Sequence, residues 1–111
     1  MDTEEGLTVK GSANPDPPTI LVVDDDEAHR LMLTEAVKDR GYRPMEAASG
    51  EESIEVLRIE MVDLVLLDIK MPGIGGMEAL KHIKTMNPAL PVIMMTAYAT
   101  VQTAVEALKT G

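Results

Sequence analysis

Residues 63–76, with the sequence DLVLLDIKMPGIGG, combine an apolar run, an acidic residue and a glycine-rich turn. The run LVLL at 64–67 predicts a short strand that is buried on both faces. Asp68 follows it, and Pro72 with three nearby glycines indicates a turn. Because open α/β sheets place ligands at the carboxyl ends of their strands, Asp68 is a candidate site residue. Taken alone, it could equally be a carboxylate that caps a loop.

Length, composition and charge fit one globular domain. The 111 residues suffice for one hydrophobic core and are too few for two. No apolar run reaches the roughly 20 residues that span a bilayer, and the absence of cysteine excludes disulfides and thiolate metal sites. The cytoplasm is the expected compartment. A net charge of -9 favours cations or a basic partner over nucleic acid. With two aromatic residues, the nine methionines are expected to help fill the core.

The chain alternates strand-like and helix-like segments after a flexible leader, residues 1–18. Residues 19–111 are predicted to form one domain. Strands are expected at 19–23, 42–48, 63–67 and 91–95, and helices at 27–40, 51–60, about 77–86 and 101–111. This alternation predicts an α/β fold with right-handed crossovers and a parallel sheet. Pro44 places the second strand at a sheet edge.

Local signals mark the ends of the first two helices. Gly41 is the expected residue just beyond the first helix. Ser49 and Glu52 form a capping box at the start of the second. The inner face of the second helix is expected to consist of Ile54, Leu57 and Met61.

Polar residues follow three of the predicted strands: Asp24 and Asp25, then Asp68, then Thr96. In a parallel sheet these ends lie on one edge, where three carboxylates repel one another unless a cation intervenes. Mg²⁺ suits oxygen ligands and a shared phosphate, and a carboxylate can become an aspartyl-phosphate. Thr96 could donate to a phosphoryl oxygen, and the small Ala97 would leave room for it. The alternative is an acidic helix start beside unrelated loop residues.

Three motifs, ILVVDDDE (20–27), DLVLLDIKMPG (63–73) and PVIMMTAYA (91–99), resemble the receiver domain of bacterial two-component response regulators. The resemblance covers residues 19–111. It implies a flavodoxin-like (CheY-like), doubly wound parallel sheet with strand order 2-1-3-4-5. This chain would supply order 2-1-3-4, without the fifth strand and fifth helix, and is expected to be a fragment.

The resemblance also implies a role for each site residue. Asp68 would accept a phosphoryl group from a sensor histidine kinase. The Mg²⁺ ion, or Mn²⁺ in its place, would be bound by Asp24 (largely through water), Asp25, Asp68 and the backbone carbonyl of Lys70. Thr96 would follow the phosphoryl group, and its surroundings would include Ala97, Lys70 and Tyr98. Lys109 does not match the lysine that follows the family's fifth strand.

The implied function is signalling, with no catalysis beyond the domain's own phosphorylation and dephosphorylation. Residues 95–111, MTAYATVQTAVEALKTG, resemble the fourth helix of the nitrogen-regulator type, whose output domain activates transcription with the alternative sigma factor, sigma-54. The expected partners are the kinase and the protein's own output domain, with no nucleic acid or membrane contact by this domain. Without a fifth strand, self-association into a homodimer through strand four and helix four is also expected.

Two alternatives remain open from the sequence. Asp24-x-Asp26 after an apolar strand, with MMT at 94–96, also suits a haloacid-dehalogenase-like phosphatase. Against it, Ala28 stands where that family carries Thr or Val. The other alternative is a degenerate receiver that serves only assembly, which would not bind Mg²⁺.

Overall fold

The computed structural model describes residues 16–69 and 71–95 of the chain. They form four strands and three helices in alternation. These are β1 Thr19–Val23, α1 Glu27–Asp39, β2 Arg43–Ala47, α2 Gly50–Ile59, β3 Leu64–Asp68, α3 Gly75–Met86 and β4 Val92–Met95. The four predicted strands and first three helices are confirmed to within two residues at each end. The predicted fourth helix and residues 1–15 of the predicted leader lie outside the described residues.

The strands form one parallel sheet with the spatial order β2-β1-β3-β4. This confirms the predicted order and the predicted edge position of β2, which contains Pro44. Val23 lies opposite Ala47 on one side and Leu67 on the other. The residues that follow β1 therefore emerge beside the carboxyl end of β3.

Alternation along the strands divides the core into two clusters on opposite faces of the sheet. On one face of the sheet, Leu33 and Val37 of α1 pack on four strand residues: Ile20, Val22, Leu64 and Leu66. On the other face α3 packs with Ala79 and Ile83, together with α2. The strand residues there are Leu21, Val23, Ala47, Val65 and Leu67. Full burial of one such Leu or Ile stabilises the fold by about 2 kcal/mol, so both helical layers are held mainly by apolar packing.

Two predictions about the core are confirmed only in part. Met61 is 90% exposed, because α2 ends at Ile59 and the chain has left the helical path. Leu57 packs on the core as predicted, and Val56 packs there as well. The methionines contribute in part: Met71 is buried and Met45 and Met94 pack against the core, but Met32, Met77 and Met86 are exposed. Leu, Ile and Val of the strands already fill the space between the layers, which leaves these flexible side chains on outer helix faces.

The predicted helix signals are confirmed. Gly41 follows α1 with a φ of 86°, a conformation that favours glycine. The backbone N–H of Glu52 donates to Ser49 Oγ at 3.0 Å, and Glu52 Oε1 accepts from the N–H of Ala48 at 2.7 Å. Within the described part of the chain, no helix is long and apolar enough to cross a bilayer.

Polar contacts link the amino-terminal ends of the strands. The backbone N–H of Thr19 donates to Asp63 Oδ2 at 2.7 Å. Arg43 Nε donates to the Thr19 hydroxyl at 3.1 Å, linking the start of β2 to the start of β1. These contacts lie at the opposite end of the strands from the acidic residues.

Candidate functional site

Three carboxylates converge at the carboxyl edge of the sheet. Asp24 and Asp25 directly follow β1, and Asp68 is the last residue of β3, which pairs with β1. Each contributes one carboxylate oxygen to a group whose members all lie within 4.8 Å of one another. Asp24 is buried, Asp68 is half-buried and Asp25 is exposed. The acidic group is therefore open to solvent on the Asp25 side.

Asp24 is held through both its side chain and its backbone. Its Oδ1 accepts from the N–H of Asp26 at 2.9 Å, and its Oδ2 is hydrogen-bonded to Nδ1 of His29. Its own N–H donates to the Ala47 carbonyl at 3.1 Å, and its carbonyl accepts from Arg30 Nη1 at 2.7 Å. A buried carboxylate needs such partners because desolvation is costly. Contacts within the protein thus fix both the side chain and the backbone of Asp24.

Asp26 has a different role from its two acidic neighbours. It is the N-cap of α1, and its carboxylate accepts from the N–H of His29 at 3.0 Å. This satisfies one of the unpaired N–H groups at the helix start. The run of three aspartates therefore divides into two members of the acidic group and one helix cap.

Glycines bring α3 close to Asp68. Gly73 and Gly75 have φ angles of 78° and 75°, so the loop after β3 turns through conformations that suit glycine. The N–H of Gly76 donates to the Ile69 carbonyl at 3.2 Å. A Cβ at Gly76 would lie 2.7 Å from Ile69 Cα and would also clash with the Asp68 carbonyl oxygen. The start of α3 can therefore rest against the backbone of Asp68 only because Gly76 lacks a side chain.

The donor set fits a hard divalent cation. Oxygens that share one Mg²⁺ or Ca²⁺ ion at about 2.0–2.6 Å from it lie roughly 3–5 Å apart, which matches the spacing of the three carboxylates. A cation would also offset the repulsion between three like charges. Within residues 16–69 and 71–95, these three carboxylates are the one group of three or more acidic or histidine side chains with a spacing that suits a metal ion.

The structure brings together Asp24, Asp25 and Asp68 of the predicted site. Lys70, Thr96, Ala97 and Tyr98 lie outside the described residues. Sequence reasoning missed His29 and Arg30, which approach Asp24 from the first turn of α1. The sequence signalled only that both residues lie in the first turn of the helix that follows the aspartates, and not that they contact Asp24.

Comparison with known proteins identifies the family. The model of the response regulator receiver domain matches residues 20–111. The transcriptional regulatory protein ZraR of Escherichia coli K12 is 50% identical over 92 residues, which are 83% of this chain and 21% of that protein. Sporulation initiation phosphotransferase F of Bacillus subtilis is 43% identical over 79 residues, or 71% of this chain and 64% of that protein. The chain thus spans about a fifth of the length of ZraR.

Solved structures agree. A structure of histidine kinase ThkA in complex with response regulator protein TrrA matches with a TM-score of 0.74 at 30% identity, covering 82% of this chain and 97% of that chain. TrrA of Thermotoga maritima in complex with Mg²⁺ and BeF matches with a TM-score of 0.70 at 27% identity, covering 82% and 98%. Sequence, sheet order and the acidic edge lead to one conclusion: this chain belongs to the response regulator receiver domain family.

Proposed function

We propose that Asp68 accepts a phosphoryl group from a phosphohistidine of a sensor histidine kinase, with Mg²⁺ bound beside it. A carboxylate oxygen of Asp68 would attack phosphorus while the bond from phosphorus to the histidine nitrogen breaks, giving an aspartyl-phosphate and a free imidazole. The observation that carries this proposal is the convergence of Asp68 with Asp24 and Asp25 at the end of β3. A bound cation would neutralise charge on the transferred group, which is the main requirement of phosphoryl transfer.

The environments of the two upstream aspartates support different metal roles. Asp25 is exposed and open to a direct bond with the ion. Both oxygens of Asp24 already have partners, Asp26 and His29. Asp24 is therefore suited to hold a metal-bound water rather than the ion itself. The Lys70 carbonyl is the proposed further ligand, and Mn²⁺, which also takes oxygen ligands, is the proposed substitute for Mg²⁺.

The remaining proposed residues concern the phosphoryl group after transfer. Thr96 would donate its hydroxyl to a phosphoryl oxygen, and Ala97 would leave space for it. Lys70 and Tyr98 would flank the path of the hydrolytic water. Substituting Lys70 or Tyr98 should therefore change the rate of dephosphorylation more than that of phosphorylation.

Acetyl phosphate with Mg²⁺, followed by borohydride trapping, tests the phosphoacceptor. We expect one phosphoryl group per chain and label at Asp68. Asp68→Asn should lose it. Asp26→Asn is the matched control, because asparagine also caps helices and Asp26 lies outside the acidic group. Label that persists in Asp68→Asn at the level of the parent chain would refute the assignment.

The same measurements separate the alternatives. A haloacid-dehalogenase-like phosphatase would need Asp26 beside Asp24 in the site, but the Asp26 carboxylate caps α1. Steady turnover of a phosphate ester would nevertheless favour that class. A degenerate receiver would fail to bind Mg²⁺, whereas the preserved acidic group favours binding. We propose a domain that catalyses only its own phosphorylation and dephosphorylation.

The proposed setting is a cytoplasmic transcription regulator. ZraR is named as a transcriptional regulatory protein, and this chain matches a fifth of it. The proposed partners are therefore a sensor kinase and an output domain of the same protein, a sigma-54-dependent activator. Removal of Asp68 should abolish kinase-dependent transcription without abolishing DNA binding by the output domain.

A second copy of the chain is a further proposed partner. β4 is an edge of the sheet formed by the described residues, and its Val92, Ile93 and Met94 are only partly buried. Apolar edge strands can pair with another chain. Sedimentation equilibrium should show a dimer that involves residues 91–95, the fourth helix, or both. A compact monomer at high micromolar concentration, with protected amides along 92–95, would contradict this proposal.

A further inference from the structure

Arg30 connects three parts of the structure beside the acidic group. It lies in α1, and its side chain is only 15% exposed. Nη1 donates to the Asp24 carbonyl at 2.7 Å, and Nε donates to Glu46 Oε1 of β2 at 3.0 Å. One guanidinium therefore joins α1, the turn after β1 and the end of β2.

The Asp24 carbonyl belongs to the peptide group that joins Asp24 to Asp25. A donor to this oxygen therefore restrains the orientation of both residues, since the peptide group is planar. The N–H of Asp24 is held separately by the Ala47 carbonyl. With Arg30 in place, the backbone of Asp24 is fixed from β2 on one side and from α1 on the other.

Arginine is suited to this position. Its planar guanidinium presents several N–H groups in a fixed geometry, so a bond from Nε to Glu46 orients Nη1 toward the carbonyl. The lysine ammonium has no such fixed plane. Glu46 is 50% exposed, whereas Arg30 is mostly buried, so the carboxylate approaches the guanidinium from the solvent side.

We propose that Arg30 is a positioning residue of the metal site. It holds the peptide group between Asp24 and Asp25, so that their carboxylates face Asp68 before the cation arrives. The inference rests on the proposed function, since it concerns the same Mg²⁺ site. It assigns to Arg30 a role in cation affinity that is separate from any contribution to folding.

Calorimetric titration of the 111-residue chain with Mg²⁺ tests this role, with thermal unfolding measured in parallel. Arg30→Gln and Arg30→Lys should each weaken Mg²⁺ binding by about 10-fold, the lower end of the loss seen when residues supporting metal ligands are replaced. Arg43→Gln is the matched control. It removes an arginine link between β2 and β1 at the opposite edge of the sheet, so it should lower thermal stability and leave Mg²⁺ affinity within about twofold of the parent.

Each outcome has a defined meaning. Unchanged affinity in Arg30→Gln overturns the inference. Full affinity in Arg30→Lys overturns it as well, because charge and not geometry would then be sufficient. If Arg30→Gln does not fold, Glu46→Ala decides, because it removes the acceptor of the Arg30 Nε–H bond. Weaker Mg²⁺ binding supports the inference, and unchanged binding contradicts it. A parent chain that binds no Mg²⁺ contradicts the proposed function itself, and the inference with it.

Discussion

The three residues of the acidic group are all aspartates, but their environments differ. Asp24 is buried and fully hydrogen-bonded, Asp68 ends a core strand, and Asp25 stands in solvent. Substitutions at the three positions should therefore differ in their effects on folding and on metal binding. At Asp25 the two effects should be easiest to separate, since its side chain is not part of the core.

Asp25→Ala is expected to weaken Mg²⁺ binding by at least about 10-fold, as even residues that only support metal ligands typically contribute that much. Without metal, the variant should be slightly more stable than the parent, because one of three neighbouring negative charges is removed. The gain should stay below about 1 kcal/mol, since an exposed charge is well screened. Calorimetric titration and urea unfolding without Mg²⁺ measure the two quantities. Equal Mg²⁺ affinity in variant and parent would remove Asp25 from the ligand set.

Gly76→Ala should damage the site through the backbone. The added methyl group would meet the Asp68 carbonyl and Ile69 Cα, so the start of α3 must shift. Overpacking of this kind costs about 1–3 kcal/mol, and Mg²⁺ affinity should fall with stability. Gly41→Ala is the control. Its φ of 86° strains any side chain there, and no atom of the described part of the chain lies within 4 Å of the new Cβ. Unfolding and Mg²⁺ titration of both variants test this expectation. It would be contradicted if Gly76→Ala, like Gly41→Ala, lost stability and kept its Mg²⁺ affinity.

At the residue scale, the convergence of the three carboxylates was predictable because it depends only on strand order and on where each apolar run ends. The contacts of His29 and Arg30 were not predictable to the same degree. They depend on how α1 crosses the sheet and on the rotamers of two long side chains, which periodicity does not determine.

At the scale of elements, α1 and α2 both begin with a side-chain cap, but the first turns of the two helices have different neighbours. Behind Asp26, α1 carries two residues that contact Asp24. Behind Ser49, the first turn of α2 contains Glu51, which lies near Gly73 rather than in the acidic group. Fraying of α1 should therefore affect the metal site more than fraying of α2.

Asp26→Ala and Ser49→Ala test this difference. Each should cost about 1 kcal/mol of stability, the usual loss for a helix cap. Only Asp26→Ala should also weaken Mg²⁺ binding, by several-fold, because the first turn of α1 supports Asp24. Chemical denaturation and Mg²⁺ titration provide the comparison. An equal loss of affinity in both variants would mean that the two helix starts are not distinct in function.

The elements themselves were predicted well because the signals were local. Apolar runs that end in polar residues marked three of the four strands, and Gly41 and Ser49 marked helix ends. The error at Met61 has the same origin: the spacing continued past Ile59, whereas the backbone did not. Helix spacing alone cannot show where the last turn gives way to an extended chain, since a C-terminal signal was absent there.

At the scale of the whole molecule, we expect the net charge of -9 and the acidic group to make the stability of the fold sensitive to cations. A ligand that binds only the folded state stabilises it by mass action. At Mg²⁺ concentrations about 100 times the dissociation constant, the free energy of unfolding should rise by about 2.7 kcal/mol. Thermal unfolding with increasing MgCl₂, at constant ionic strength, measures this. The rise should be much smaller in Asp25→Ala at the same concentrations, and an equal rise in both chains would indicate general screening instead.

The division of the core by the sheet has a consequence for how this domain can vary. Among residues 16–69 and 71–95, the cluster beneath α1 and the cluster beneath α2 and α3 share no residue. A change beneath one layer should therefore be tolerated or rejected independently of changes beneath the other. Leu33→Ala and Ile83→Ala should then destabilise additively in the double variant, within about 0.5 kcal/mol. The sheet therefore separates two layers that can evolve independently. Residues of α1, the helix that contacts Asp24, can change on its outer surface while the residues of the opposite layer stay the same.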